Sequence, residues 1–239
     1  MKPFVGVTCA WSEETGLKNA HSRSFNYIET KYQEAVYRYG GVPVLIPPPR
    51  EEAPDLDGYA EEVLCRVDAL YFTGGAGGGR GRLDGKHYDL YEQQPVRAAW
   101  EDRLLQHAYR ADIPCLGACR GHQMMAQALG GAIDPKIHQE HRQQVPDHEG
   151  YHEIVLDPDS LLARIAGSEP WLVNSLHNQI VLTAPEGFRV GARTRDGCIE
   201  SIEAVGKRFF LGTQFHPEMM LFDERAKRLL AAFLAEAGK

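Results

Sequence analysis

The stretch Gly117-Ala118-Cys119-Arg120-Gly121 sets one reactive side chain between small residues. An apolar run, Ile113 to Leu116, leads into it, and a helix-like run, His122 to Leu129, leads out. That is the layout of a nucleophile elbow, a turn between strand and helix too tight for bulky neighbours. A cysteine at a helix N-terminus is favoured as thiolate, the form that attacks carbonyl carbon. Such a nucleophile needs a base to carry its proton, and the base needs a third group to fix its tautomer. His216-Pro217-Glu218 supplies both residue types directly after the apolar run Phe209 to Phe215. Glu218 can reach back to one ring nitrogen while the other faces the thiol. An oxyanion hole needs two backbone N–H donors. Arg120, the residue after the nucleophile, offers one. Gly74-Gly75, following the apolar run Val67 to Phe72, offers bare backbone for the second, at Gly75.

These pieces work together only if the elements carrying them end on one edge of a sheet. Phe4 to Thr8, Val42 to Ile46, Val67 to Phe72 and Ile113 to Leu116 read as buried strands. Between them, Ile28, Tyr32, Ala35, Val36 and Tyr39 form one helical face, Tyr59 to Leu64 a second helix and Val96 to Tyr109 a third. Alternating strands and helices predict an α/β fold with a parallel sheet covered on both faces. Cys119 and His216 would then meet outside the carboxyl ends of the strands. The second half predicts short strands at Glu153 to Leu156, Gln179 to Leu182, Arg189 to Arg193, Ile199 to Ala204 and Phe209 to Gln214. They read as antiparallel hairpins appended to the main sheet, and Ile133 to Gly150 as surface connection. Ala226, Leu229, Leu230, Phe233 and Leu234 make the stripe of a final helix. Neither linker nor repeat interrupts residues 1–239, so a single domain is expected.

The chain has 239 residues and a net charge of −7. That balance argues against a nucleic-acid or anionic-membrane surface. No apolar run approaches the ~20 residues of a membrane span, and Met1 to Val7 reads as a strand, not a signal peptide. Five cysteines without a C-x-x-C pair suit a reducing cytoplasm. Cys9, Cys65, Cys115 and Cys198 read as small buried apolar residues, and Met124 and Met125 as core packing. His138, His141, His148 and His152 lie close in sequence, but without a zinc motif they read as surface histidines, and no metal is expected. Gly74 to Gly81 lacks the Gly-Lys-Ser/Thr of a phosphate loop, so no nucleotide cofactor is expected. The longer stretch Gly74 to Gln94 reads as a loop, a candidate lid, with Arg80, Arg82 and Lys86 solvated.

Four segments together, Thr73-Gly74-Gly75, Gly117 to Gln123, Val173 to Gln179 and Gly212 to Glu218, resemble the class I glutamine amidotransferases. The arginine after the nucleophile and the run Asn174-Ser175-Leu176-His177-Asn178-Gln179 are most similar to one branch, the peptidase C26-like γ-glutamyl hydrolases that include γ-glutamyl-γ-aminobutyrate hydrolase. The resemblance implies a flavodoxin-like three-layer sandwich with a mostly parallel central sheet. It implies a Cys119–His216–Glu218 triad acting on a small γ-glutamyl amide through a γ-glutamyl thioester. It also implies that Gly74, Gln123, the Ser175-Leu176 backbone and His177 surround the glutamyl group. The alternative within the resemblance is a glutaminase subunit passing ammonia to a synthase partner; a binding protein on the same fold ranks below both. A homodimer fits either enzyme reading. In this branch an acidic residue, a proline and a tyrosine usually follow the glycine pair. Here the chain runs Ala76-Gly77-Gly78-Gly79-Arg80-Gly81-Arg82, so the amine partner of the glutamyl group is left open.

Overall fold

The computed structural model describes residues 1–11, 24–49, 55–75, 90, 94–134, 136 and 138–239. Most of the glycine-rich stretch after Gly75 and the basic residues Arg80, Arg82 and Lys86 lie outside the described residues.

Among the described residues the strands are β1 (Phe4–Thr8), β2 (Ala10–Trp11), β3 (Asn26–Tyr27), β4 (Val42–Ile46), β5 (Ala69–Phe72), β6 (Cys115–Ala118), β7 (Ala132–Asp134), β8 (His152–Leu156), β9 (Trp171–Val173), β10 (Ile180–Thr183), β11 (Phe188–Thr194), β12 (Ile199–Ala204) and β13 (Phe210–Thr213). The helices are α1 (Thr30–Arg38), α2 (Leu56–Leu64), α3 (Pro95–Arg110), α4 (Arg120–Ala128), α5 (Leu161–Ala166) and α6 (Glu224–Ala237). Eleven strands share one sheet, in the order β4-β1-β5-β6-β13-β12-β11-β8-β9, with β10 and β7 branching from β12. The pairs from β4 to β13 are parallel. Those beyond β13 are antiparallel. This is the flavodoxin-like α/β sandwich with a mostly parallel sheet. The predicted antiparallel strands do join the main sheet: β12 bonds directly to β13 and continues it.

Strand alternation splits the apolar residues between two faces. Tyr71, Leu116 and Leu211 pack with α1, α5 and α6 on one side, joined by Val36, Leu162 and Phe233. Leu70, Phe72, Cys115 and Phe210 face α2, α3 and α4 on the other, with Leu104, Leu105, Met124 and Met125. Strands covered on both faces read as unbroken apolar runs, which is why they were visible in the sequence.

Several boundaries differ from expectation. β6 begins at Cys115 and runs to Ala118, two residues later than the apolar run suggests. Pro114 has no N–H for a ladder, and the register with β5 and β13 starts at Cys115. The strand thus leads straight into Cys119. α5 and β9 were missed, since six and three residues are too few for a periodic signal. Ser160 starts α5 by accepting the Ala163 N–H at 2.9 Å. The segment read as surface connection begins inside β7 and contains the buried residues His141 and Gln143. Cys65 is a correction too: it follows the last turn of α2 and is exposed.

The elbow depends on backbone approach. A Cβ on Gly121 would lie 2.2 Å from the Phe72 carbonyl oxygen, and one on Gly117 would lie 2.8 Å from the Gly121 carbonyl carbon. α4 can start where it does only because both positions lack side chains. Gly121→Ala should therefore cost about 1–3 kcal/mol, the usual range for overpacking. Urea unfolding checks this; an unchanged midpoint would show that the helix can shift away freely.

Candidate active site

Cys119 joins β6 to α4 with φ 51° and ψ −103°, a left-handed conformation that a residue with a Cβ rarely adopts. Strain of this kind costs roughly 1–3 kcal/mol and persists only where the surroundings impose it. Here Cys119 N–H donates to the Thr213 carbonyl at 2.8 Å, and the Cys119 carbonyl accepts the Gln123 N–H at 3.1 Å. The first bond ties the elbow to the end of β13, three residues before His216. Cys119 is only 8% exposed, so the thiol is recessed rather than projecting into solvent.

His216 lies beside Cys119: a Cβ placed on Gly74 would fall 2.8 Å from His216 Cε1 and 3.7 Å from Cys119 Cβ. His216 Nδ1 lies 2.6 Å from Glu218 Oε1, which leaves Nε2 for the sulfur. Glu218 is fully buried and also accepts from the Tyr71 hydroxyl at 3.0 Å, so its carboxylate cannot swing away. Burial disfavours the His216 imidazolium, but the Glu218 carboxylate and the Cys119 sulfur outweigh it and hold the imidazole well above its ordinary value. The backbone of His216 is clamped as well: its N–H donates to Asn174 Oδ1 at 2.8 Å, and Asn174 Nδ2 donates to its carbonyl at 3.1 Å.

The strand end of β5 closes the other side. Gly74, at that end, lies directly beside both groups. The Gly74 N–H is already used, donating to the Tyr32 hydroxyl at 2.7 Å. That hydroxyl lies 3.4 Å from His216 Nδ1. Gly75 is exposed, and a Cβ there would meet nothing within 4 Å. Arg120 opens α4, the position where N–H groups point out of a helix instead of back to a carbonyl. Its guanidinium pairs with buried Glu101, which also binds Arg97 at 2.8 Å.

The residues expected around a glutamyl group are placed less uniformly. Gln123 Nε2 donates to the Gln179 carbonyl at 2.7 Å and to Gln214 Oε1 at 3.1 Å. Ser175 is wholly engaged: its N–H goes to Gln143 Oε1 at 2.5 Å, its carbonyl accepts the Gln143 N–H at 2.8 Å, and its hydroxyl donates to the His141 carbonyl. Leu176 forms a bridge with Arg142. His177 belongs to a different cluster. Its Nδ1 donates to the Gln179 carbonyl at 3.0 Å, its Nε2 lies 3.5 Å from Glu200, and its ring stacks on His141 at 5.3 Å. His152 Nε2 also lies 3.5 Å from Glu200. Burial pushes the Glu200 carboxyl up, but these two histidines outweigh it and bring it down to about 2. His141 is buried, which corrects the expectation of surface histidines throughout.

His138, Glu140 and His141 each offer a ligand atom within 4.8 Å of the others. Hydrogen bonds account for the grouping, since His138 binds Glu140 and Asp134, each at 3.1 Å. Among the described residues no helix is long and apolar enough to cross a membrane. The sequence assigned no role at the site to Tyr32, Tyr71, Asn174, Arg97 or Glu101. A charged pair, Arg97 and Glu101, in line with the apolar stripe of α3 was the available signal.

Comparison with known proteins places the chain. The family model described as Peptidase C26 matches residues 3–218. The γ-glutamyl-γ-aminobutyrate hydrolase of Escherichia coli K12 is 30% identical over 95% of this chain and 90% of its own length. A Mycobacterium tuberculosis protein provisionally named a glutamine amidotransferase is 33% identical over 100% of this chain and 77% of its own. The glutaminase domain of Trypanosoma brucei CTPS, solved with bound acivicin, superposes with a TM-score of 0.69 at 18% identity, over 99% of this chain and 94% of that one, and so shares the fold.

The Glu218 charge supports the imidazolium, so removing it should lower the pH at which His216 gives up its proton. Imidazole NMR titration of Glu218→Gln against wild type reads this directly. A His216 titration that does not move downward would show that the carboxylate orients the ring without supporting its charge.

Proposed function

The chain belongs to the peptidase C26 family, and from that premise we propose that it hydrolyses γ-glutamyl amides through a γ-glutamyl thioester on Cys119. The observation that carries this reading is the juxtaposition of Cys119, His216 and Glu218 at a strained elbow. The family and its relatives are hydrolases and amidotransferases, and the E. coli relative's name supports the γ-glutamyl class.

In this mechanism the Cys119 thiolate attacks the δ-carbonyl carbon, and the oxygen takes up the electron pair. Gly75 and Arg120 N–H groups hold that oxyanion; one such donor is commonly worth about 3–4 kcal/mol. As the intermediate collapses, the C–N bond breaks and His216 gives its proton to the departing amine. A γ-glutamyl thioester remains. His216 then takes a proton from water, the hydroxide adds to the thioester, the C–S bond breaks, and glutamate leaves with the thiolate–imidazolium pair restored. Gln123, the Ser175-Leu176 backbone and His177 surround the glutamyl end, with Gln123 Nε2, the Ser175 N–H and His177 Nδ1 held by bonds within the protein. Residues 76–82 depart in sequence from the run that usually follows the glycine pair in this branch, which argues against assuming γ-aminobutyrate as the amine. Residues 1–239 act as one catalytic domain, which the continuous sheet supports.

A second reading, a glutaminase that hands ammonia to a synthase, draws on the relative named for amidotransferase activity. Kinetics on the isolated chain separate the two. A panel of γ-glutamyl amines should be hydrolysed with higher kcat/KM than glutamine, and Cys119→Ala should lose at least about 10⁴-fold in kcat. Preference for glutamine would favour the second reading; activity retained in Cys119→Ala would remove the first.

A further inference from the structure

α3 carries two charged residues one turn apart, Arg97 and Glu101, and both are fully buried. Arg97 spreads its guanidinium over the loop that leaves β5. Nη1 donates to the Gly74 carbonyl at 3.0 Å, and Nη2 donates to the Thr73 carbonyl at 3.0 Å and the Thr73 hydroxyl at 2.7 Å. Nη1 also donates to Gln94 Oε1 at 3.3 Å. Nε donates to Glu101 Oε1 at 2.8 Å, and the other Glu101 oxygen receives the Arg120 guanidinium. Burial pushes the Glu101 carboxyl up, but Arg120 and Arg97 outweigh it and hold it below the usual range, so the cluster keeps all three charges.

Burying three charges does not by itself stabilise a fold, since an apolar replacement is often as stable. What the cluster does geometrically is specific. A trans peptide is planar, with its C=O and N–H pointing in opposite directions. Holding the Gly74 carbonyl therefore fixes where the Gly75 N–H points, and a bond to the carbonyl polarises the peptide and strengthens that N–H as a donor. The preceding peptide is held at both ends, its Thr73 carbonyl by Arg97 and its Gly74 N–H by Tyr32. Gly75 has no side chain to hold it in place, so its direction must come from such neighbours.

We infer that Arg97 is a positioning residue for the oxyanion hole. It aims the Gly75 N–H at the carbonyl under attack, and Glu101 links that peptide to Arg120, whose N–H is the second donor. The inference deepens the proposed acyl-transfer chemistry at Cys119 and rests on it, but it does not depend on the glutamyl group.

The test compares two reactions of the same thiol. Alkylation of Cys119 by iodoacetamide is a displacement at carbon that forms no oxyanion. Acylation by p-nitrophenyl acetate passes through a tetrahedral oxyanion, and the released p-nitrophenolate reports its rate. Lysine keeps the charge of Arg97 but lacks the planar fork that spans both carbonyls and Glu101. Arg97→Lys should slow acylation by about tenfold to a hundredfold, part of the 10²–10³ that follows loss of such a donor. Alkylation should stay within about twofold of wild type, because the thiol–imidazole contact is untouched. If that variant does not fold, Glu101→Gln is read the same way, with a smaller selective loss. A parallel fall in both reactions, no fall in either, or a wild-type Cys119 that alkylates but cannot be acylated would overturn the inference. A wild type that accepts the ester and refuses every γ-glutamyl amide would instead refute the substrate reading and leave this one standing.

Discussion

Everything in this molecule depends on one buried contact: an imidazole held between a sulfur and a carboxylate. In water such a pairing of charges would be weak and transient. Here His216 is recessed, Glu218 is fully buried, and the low dielectric magnifies both the attraction and the cost of losing it. The contact requires three chain segments to be held to within a fraction of an ångström. One is the bend at Cys119, one is the exit of β13, and one is the tip of β5.

Parallel strands solve that problem of position. β5, β6 and β13 lie side by side, and each delivers its group from the same edge of the sheet. The sheet supplies coarse position; side chains behind the site supply the rest. Tyr71 restrains Glu218, Asn174 restrains the His216 backbone, and Tyr32 spans Gly74 and the imidazole. The strain at Cys119 fits the same picture. A turn that costs energy is held because Thr213 and Gln123 bond its peptide groups on either side.

How much of this could be read beforehand follows from the physics of each residue. Cys119, His216, Glu218 and the glycine pair were legible because each ends an apolar run, and strand ends are where such sheets place their chemistry. Tyr32 was legible only as one more apolar position in a helical stripe, since nothing local reveals what its hydroxyl will meet. Arg97 and Glu101 interrupt the stripe of α3, a hint that becomes meaningful only when the loop after β5 is seen above them. His141 and His177 were each visible, but not as one cluster, because its anion, Glu200, arrives from a strand far along the chain. Short elements escaped for a plainer reason: α5 is defined by its Ser160 cap and its packing against α6, not by periodicity.

The central claim is chemical, that the sulfur at the bend carries the glutamyl group between the two half-reactions. Rapid acid quench of the enzyme during turnover of a γ-glutamyl amide, followed by peptide mass spectrometry, tests it most directly. The account predicts a glutamyl adduct confined to the peptide containing Cys119, which hydroxylamine removes. Turnover with no covalent species, or an adduct on any other residue, would contradict it.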